Sequence, residues 1–350
     1  MAFLSINNVA IRGMACGIPR NTEDNMDYPY LSKEELEEYV QSTGVRYRHC
    51  TTPDICTSDL CESAAEELLK SLSWCKDEIE ALVFVSATPD YKMPATACVL
   101  QDKMGLPSSC LAFDVNLGCS GFVYGLSIIS SYMQTGQIKK ALLLVGNTQH
   151  KNCYPKDKST YLIIGDGGSA TALEYEEGAE PMKFSLSTYG YGKDALMVHD
   201  GGCRFPVDTK SLEEYTDEVG TRRLIDFRMD GGDVFAFVMS HVVKCFKEFL
   251  EHYDIEDEKV DYYLLHHASK MSCNKIHKKL HLPDEKVPYN FYDFGNSSNA
   301  CIPLLMTTNI REQLSNGKIR LFISGFGTGL SVGLGYIVCD HIIVPELIQV

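Results

Sequence analysis

Four short stretches of this chain carry residue types suited to covalent chemistry. Residues 118 to 121 read Gly118-Cys119-Ser120-Gly121, a single cysteine wrapped in the smallest residues, where a strand-like run (LAFDV, 111 to 115) meets a helical pattern. A thiol at a helix start feels the positive end of the macrodipole, which favours thiolate and hence nucleophilicity. The plain alternative is a small buried hydrophobe at a tight turn, which suits any one of the fourteen cysteines. A nucleophilic thiol usually works with a histidine. His266-His267 ends the apolar run YYLL (262 to 265), where open α/β sheets place reactive groups. Gly295-Asn296-Ser297-Ser298 and Gly325-Phe326-Gly327-Thr328-Gly329 read by themselves as a helix cap and a tight turn. The second lacks the spacing of a nucleotide-binding glycine loop.

The elements that must position these residues alternate along the chain. Thr57-Ser58-Asp59 can start a helix over CESAAEELLKSL, and ALVFV (81 to 85) reads as a buried strand. The pattern predicts helices at 94 to 104 and 119 to 135, a strand at 141 to 146, and a long helix at 233 to 253. After the strand at 262 to 265 it predicts helices at 270 to 280 and 300 to 314 and a strand at 321 to 324. Alternation of this kind predicts α/β layers with largely parallel strands. The halves also echo each other. Cys119 and Asn296 each open a helix, and each helix leads to a strand ending in glycine, at Gly146 and Gly325. A duplicated unit, residues 1–178 and 179–350, is expected, with the two helix starts meeting at one site.

Composition narrows the partners. Of 350 residues, 45% are hydrophobic, and 47 acidic against 32 basic residues leave a net charge of -15. That charge argues against nucleic acid and anionic membranes as partners, and an acidic partner would need a local basic patch. The apolar runs are too short to span a bilayer, and the N-terminus lacks the pattern of a signal peptide, so a cytoplasmic protein is expected. The cysteines form no CxxC or zinc-like spacing, which predicts free buried thiols and no metal site.

Taken together and in order, ATPDYKMPATACVLQDKMG (87 to 105), FDVNLGCSGFVYGLS, IIGDGGSATALE, LLHHAS, FGNSSNACIPLL and SGFGTGLSVGLG resemble the β-ketoacyl-acyl carrier protein synthase III family of thiolase-fold condensing enzymes. The resemblance runs from about Ser58 to Tyr336. It implies a five-layered αβαβα core of two similar halves and a homodimer. It also implies a catalytic set of Cys119, His266 and Asn296, with backbone N–H groups of Cys119 and Thr328 as the oxyanion hole. Cys119 would take an acyl group from a thioester and then condense it with malonyl-carrier protein after loss of carbon dioxide. No cofactor is implied beyond substrates carried as phosphopantetheine thioesters. Acyl carrier protein would dock on Lys270, Lys275, Lys278 and Lys279, and Met93 and Phe326 would contribute to the acyl pocket.

Departures from the family pattern concern substrate more than reaction. Glu38 and Ser42 stand where a tryptophan and an arginine commonly hold coenzyme A, and Met271 and Ala236 replace basic positions. Thr328 takes a place that is commonly glycine, and His267 and Ser269 replace a glutamine and an asparagine. The altered coenzyme A positions suggest a specialised pathway, and the 189–223 stretch, longer than in housekeeping enzymes, reads as a loop lining the acyl pocket or as a surface insertion. Two other readings remain: transfer of the Cys119-bound acyl group to an alcohol or amine, and a non-catalytic scaffold on the same fold.

Overall fold

A computed structural model describes all 350 residues. Two sheets organise it. The first has the strand order Ile348–Gln349, Val9–Ile18, Gly167–Tyr175, Lys140–Asn147, Ala81–Val85, Leu111–Val115. The second has the order Ala2–Ile6, Met182–Thr188, Ser331–Asp340, Lys318–Gly327, Tyr262–Leu265. The pairings repeat. In each sheet a strand runs antiparallel to a second, that one antiparallel to a third, and the third parallel to a fourth. The ends of the chain cross over: Ala2–Ile6 covers the free edge of the second sheet, and Ile348–Gln349 that of the first. Each short strand blunts an edge that would otherwise offer unpaired backbone groups.

Strand periodicity explains the layers. In ALVFV, Ala81, Val83 and Val85 join the large central core, whereas Leu82 and Phe84 join a second core under helices Thr57–Leu72 and Thr96–Lys103. Leu264 likewise faces the centre, while Tyr263 and Leu265 face the other side, where helices Val243–Tyr253 and Lys270–Leu280 pack. Both faces of each sheet are therefore apolar, as expected of strands covered on both sides. Helices Gly121–Met133 and Cys301–Thr308 form the middle layer, giving αβαβα. Gly121 and Gly125 let the first of them close on the sheet, since a Cβ at either would lie within 2.8 Å of a Val85 methyl.

The structure corrects several boundaries. The Gly121–Met133 helix starts two residues after Cys119, with Ser120 at its N-cap. Asn296 precedes a short 3-10 turn, Ser298–Ala300, rather than opening the helix directly. The helix expected at 300 to 314 divides into Cys301–Thr308 and Arg311–Asn316. Thr307 and Thr308 there donate their hydroxyls to the carbonyls of Pro303 and Leu304, contacts that compete with regular helix continuation. The long helix is present as Gly231–Phe237, a π-helical turn Val238–Val242, and Val243–Tyr253. All fourteen cysteines are free, nine of them buried. No helix is long and apolar enough to cross a membrane.

The 189–223 stretch is tied down by polar contacts more than by apolar burial. Ser211 donates to Asp200 at 2.5 Å, and the fully buried Arg222 meets the fully buried Asp157 at 2.7 Å. Asp157 in turn accepts from the Ser159 hydroxyl at 2.6 Å, and Ser159 lines the main cavity. Arg222→Ala would leave the Asp157 carboxylate buried without its partner, so unfolding by urea should show a loss of about 3–5 kcal/mol. A loss below about 0.5 kcal/mol would contradict this anchoring role.

Candidate active site

The two halves hold each other's reactive residues. Cys119 leaves the first half, but its surroundings come from the second. A Cβ on Gly325 would lie 2.8 Å from the Cys119 carbonyl oxygen, and one on Gly327 would lie 2.7 Å from Cys119 Sγ. Only a glycine fits at 327, where φ is +151°. Asn296 belongs to the second half, yet its backbone N–H donates to Ile163 at 2.8 Å and its carbonyl accepts from Gly165 at 3.1 Å. His266 follows strand Tyr262–Leu265, and its N–H donates to Ser324 at 2.8 Å, continuing the pairing with Lys318–Gly327.

These residues share one cavity of about 290 Å³. Cys119, His266, Asn296, Phe326 and Thr328 all line it. Met93 does not. It is 85% exposed in the loop before Thr96–Lys103, turned away from this chain's own cavity. The loop is fixed in that course by Ser58 donating to Asp90 at 2.7 Å and Asp90 N–H donating to Thr96 at 3.1 Å. Leu196 is the residue that the long 189–223 stretch contributes to the cavity wall.

Each side chain is oriented by a specific contact. Asn296 Oδ1 accepts from the Ser298 N–H at 2.9 Å and from the Cys301 thiol at 3.6 Å. A backbone N–H can only donate, so the amide nitrogen of Asn296 is left to serve the cavity as a donor. The backbone N–H groups of Cys119 and Thr328 are not taken up by backbone carbonyls, and that of Thr328 points at the Cys119 sulfur. Phe326 packs edge-on against His266 at 5.4 Å.

Electrostatics couples Cys119 to His266. Burial by itself would push the thiol up, but the adjacent His266 charge, helped by hydrogen bonds from Thr328 N–H and Ser298 O–H, holds Cys119 down at about 7. Burial would likewise push His266 down, and the neighbouring sulfurs, Cys119 first and then Cys301, outweigh it and raise the imidazole to about 10. Each charge thus favours the other, and the thiolate–imidazolium form is populated near neutral pH. His267, enclosed by Tyr289 and Phe291, is pushed down to about 3 by burial and by the charge on His266, so it stays neutral.

Sequence reasoning missed Ser298, 3.9 Å from Cys119 Sγ, as well as Cys301 and the cavity-lining Gln149. The available signal for the first two was their spacing, two and five residues after Asn296. The predicted docking residues lie together on helix Lys270–Leu280, with Lys275, Lys278 and Lys279 exposed and Lys270 half-buried. Lys279 also donates to the Met239 carbonyl at 2.9 Å.

Because the His266 charge lowers the Cys119 pKa, His266→Ala should return the thiol to at least its ordinary value near 9.0. Alkylation of Cys119 by iodoacetamide at neutral pH should then slow by roughly 50-fold, as the thiolate fraction falls from about a half to about one per cent. An unchanged rate would remove His266 as the source of the low pKa.

Comparison with known proteins agrees with this geometry. Residues 113–190 match the family described as 3-oxoacyl-[acyl-carrier-protein] synthase III, and residues 250–338 match its C-terminal portion. A β-ketoacyl-[acyl-carrier-protein] synthase III of Streptococcus pneumoniae is 30% identical over 336 residues, covering 95% of this chain and 98% of the relative. The crystal structure of a 3-oxoacyl-(acyl-carrier protein) synthase from Burkholderia xenovorans LB400 superposes with a TM-score of 0.94 at 35% identity, covering 100% of this chain and 99% of that one. Xanthomonas campestris OleA, at 19% identity, 96% and 99% coverage and a TM-score of 0.79, shares the fold. The chain belongs to the 3-oxoacyl-[acyl-carrier-protein] synthase III family of condensing enzymes.

Proposed function

We propose that this protein condenses a Cys119-bound acyl group with malonyl-carrier protein, releasing carbon dioxide and a β-ketoacyl thioester. The reading rests on one observation above all: Cys119, His266, Asn296 and Thr328 line a single cavity, in which His266 lies close enough to hold the Cys119 thiol below its ordinary pKa. The Cys119 thiolate attacks the carbonyl carbon of an acyl thioester. The resulting oxyanion is held by the N–H groups of Cys119 and Thr328. Collapse breaks the bond to the pantetheine sulfur, which leaves with the proton from His266. Acylation thus removes the negative charge that kept His266 protonated, and burial then holds the imidazole neutral.

That neutral state suits the second step. When malonyl loses carbon dioxide, the bonding pair moves into a thioester enolate, whose oxygen accepts hydrogen bonds from His266 and Asn296. The carbanion carbon attacks the acyl carbon on Cys119, the carbon–sulfur bond breaks, and the thiolate is restored. His266 recovers its proton from water. Transfer to an alcohol or amine would need no enolate, and so would leave the oriented Asn296 donor without a role. A scaffold would need none of these groups.

The carrier protein docks on the basic face of Lys270–Leu280, and the protein acts as a homodimer, consistent with the outward-turned Met93 and its exposed neighbour Tyr91. The reaction requires no cofactor besides the phosphopantetheine arms of its substrates. Glu38 and Ser42 on helix Lys33–Thr43, which contributes Tyr39 and Thr43 to the cavity, favour a carrier-protein donor over coenzyme A.

Intact-mass measurement with panels of acyl-coenzyme A and acyl-carrier protein should give an acyl adduct on the wild type and none on Cys119→Ala. No adduct with any donor would favour a scaffold. Asn296→Ala should slow decarboxylation about 100-fold or more while self-acylation persists; equal loss of both would overturn the role given to Asn296. Reversing charge at Lys275 and Lys278 should raise KM for the carrier-protein substrate several-fold at low salt, with kcat kept. A KM indifferent to charge and salt would place docking elsewhere.

A further inference from the structure

Asn147 ends strand Lys140–Asn147 and is fully buried. Its side-chain oxygen accepts from the Ala87 N–H at 2.8 Å and from the hydroxyls of Ser86 and Thr88 at 3.1 and 3.3 Å. Because an amide N–H can only donate, the Ala87 contact fixes which end of the Asn147 amide is oxygen. Its Nδ2 then donates to Ser298 Oγ and to Asn299 Oδ1, both at 2.9 Å. The second contact agrees in direction, since Asn299 spends its own amide protons on the carbonyls of Val85 and Leu117 at 3.0 and 3.3 Å. Ser298 Oγ therefore accepts a hydrogen bond from Asn147 and must direct its own proton elsewhere. Its remaining side-chain partner is Cys119 Sγ at 3.9 Å.

We propose that Asn147 is a positioning residue and Ser298 a catalytic residue: Asn147 turns the Ser298 hydroxyl so that its proton points at the Cys119 sulfur and stabilises the thiolate. The contact is long in the resting geometry and shortens as charge localises on sulfur. The same donor serves twice. It supports the thiolate as nucleophile in acylation, and as leaving group when the carbon–sulfur bond breaks during condensation. The other groups acting on this sulfur are the His266 imidazolium and the Thr328 N–H, with Cys301 and His267 beside His266. Ser298 sits at a positive φ of 56°, an uncommon conformation for a residue with a Cβ. That turn puts its backbone N–H on Asn296 and its hydroxyl toward Cys119, so one residue orients both neighbours.

The proposal rests on Cys119 being the nucleophile of the condensation reading, but its test is thiol alkylation, which needs no acyl donor. Iodoacetamide labelling of the whole protein, read by mass on the Cys119 peptide across a pH series, gives the midpoint of thiolate formation. Ser298→Gly, which suits the positive φ, and Ser298→Ala should each raise that midpoint by about one. Asn147→Asp keeps the acceptor toward Ala87 but presents a second oxygen to Ser298, which draws the hydroxyl proton away from Cys119. It also adds a charge, and the same change made on Ser298→Gly measures the effect of charge alone. Asn147→Asp should therefore raise the midpoint more in the wild type than in Ser298→Gly. An unmoved midpoint in whichever Ser298 variants fold, or equal Asn147→Asp shifts in both backgrounds, overturns the proposal. A protein with the expected alkylation pattern that makes no β-ketoacyl product would sink the condensation reading and leave this assignment standing.

Discussion

The middle layer of helices is the constraint on which the other features depend. Gly121–Met133 and Cys301–Thr308 bury Phe122, Leu126 and Ile129, and Ile302, Leu305 and Met306, in one core shared with both sheets. Neither sheet could shift without opening that core, and interiors packed at crystal-like density do not deform gradually. The strand ends at Asn147, Leu265 and Gly327 are held at fixed separations as a result, and the reactive side chains sit on or just beyond those ends. A site made at the seam of two halves needs such rigidity, because each half supplies only part of it.

The second dependence is electrical. A thiol and an imidazole enclosed together would each be pushed toward neutrality by burial, yet each supplies the charge that stabilises the other. In the reaction proposed above, acylation would remove the thiolate and with it the charge that favours the imidazolium. One histidine can then act first as a source of positive charge and later as a neutral hydrogen-bond donor, with no structural rearrangement. His267 next to it has burial without a compensating partner and remains neutral, which keeps a second cation away from His266. The polar network through Asn296, Ser298, Cys301 and Asn147 fixes donors and acceptors around this pair, and satisfied networks of this kind hold side chains to one arrangement.

Much of the cavity wall lies away from that pair. The cavity wall combines residues from Lys33–Thr43, from the strand Phe227–Met229 and from Lys270–Leu280, elements that lie outside the duplicated strands. A second groove of about 770 Å³, lined by Tyr91, Val198 and Val207, meets the first at Ala87. The long 189–223 stretch therefore shapes surface beside the acyl site more than the acyl site itself.

Much of this was legible in the residues. Uninterrupted apolar runs such as ALVFV and ALLLV encode strands buried on both faces, and the ordered motifs around Cys119, His266, Asn296 and the glycine turn carry the family resemblance that implies the chemistry. The echo between Cys119–Gly146 and Asn296–Gly325 likewise reflects a repeated sheet order. Other features depended on distance in space. Ser298 and Asn147 are ordinary polar residues 151 positions apart, and only the packing of the two halves makes one orient the other. The family resemblance gave Met93 a place at the acyl pocket, and the structure shows it exposed in a loop held by hydrogen bonds at Asp90, away from the lining of this chain's own cavity. The sequence determined which groups are present and which element carries each. The tertiary structure decided their charge and orientation, because a pKa and a hydrogen-bond direction are properties of surroundings assembled from distant parts of the chain.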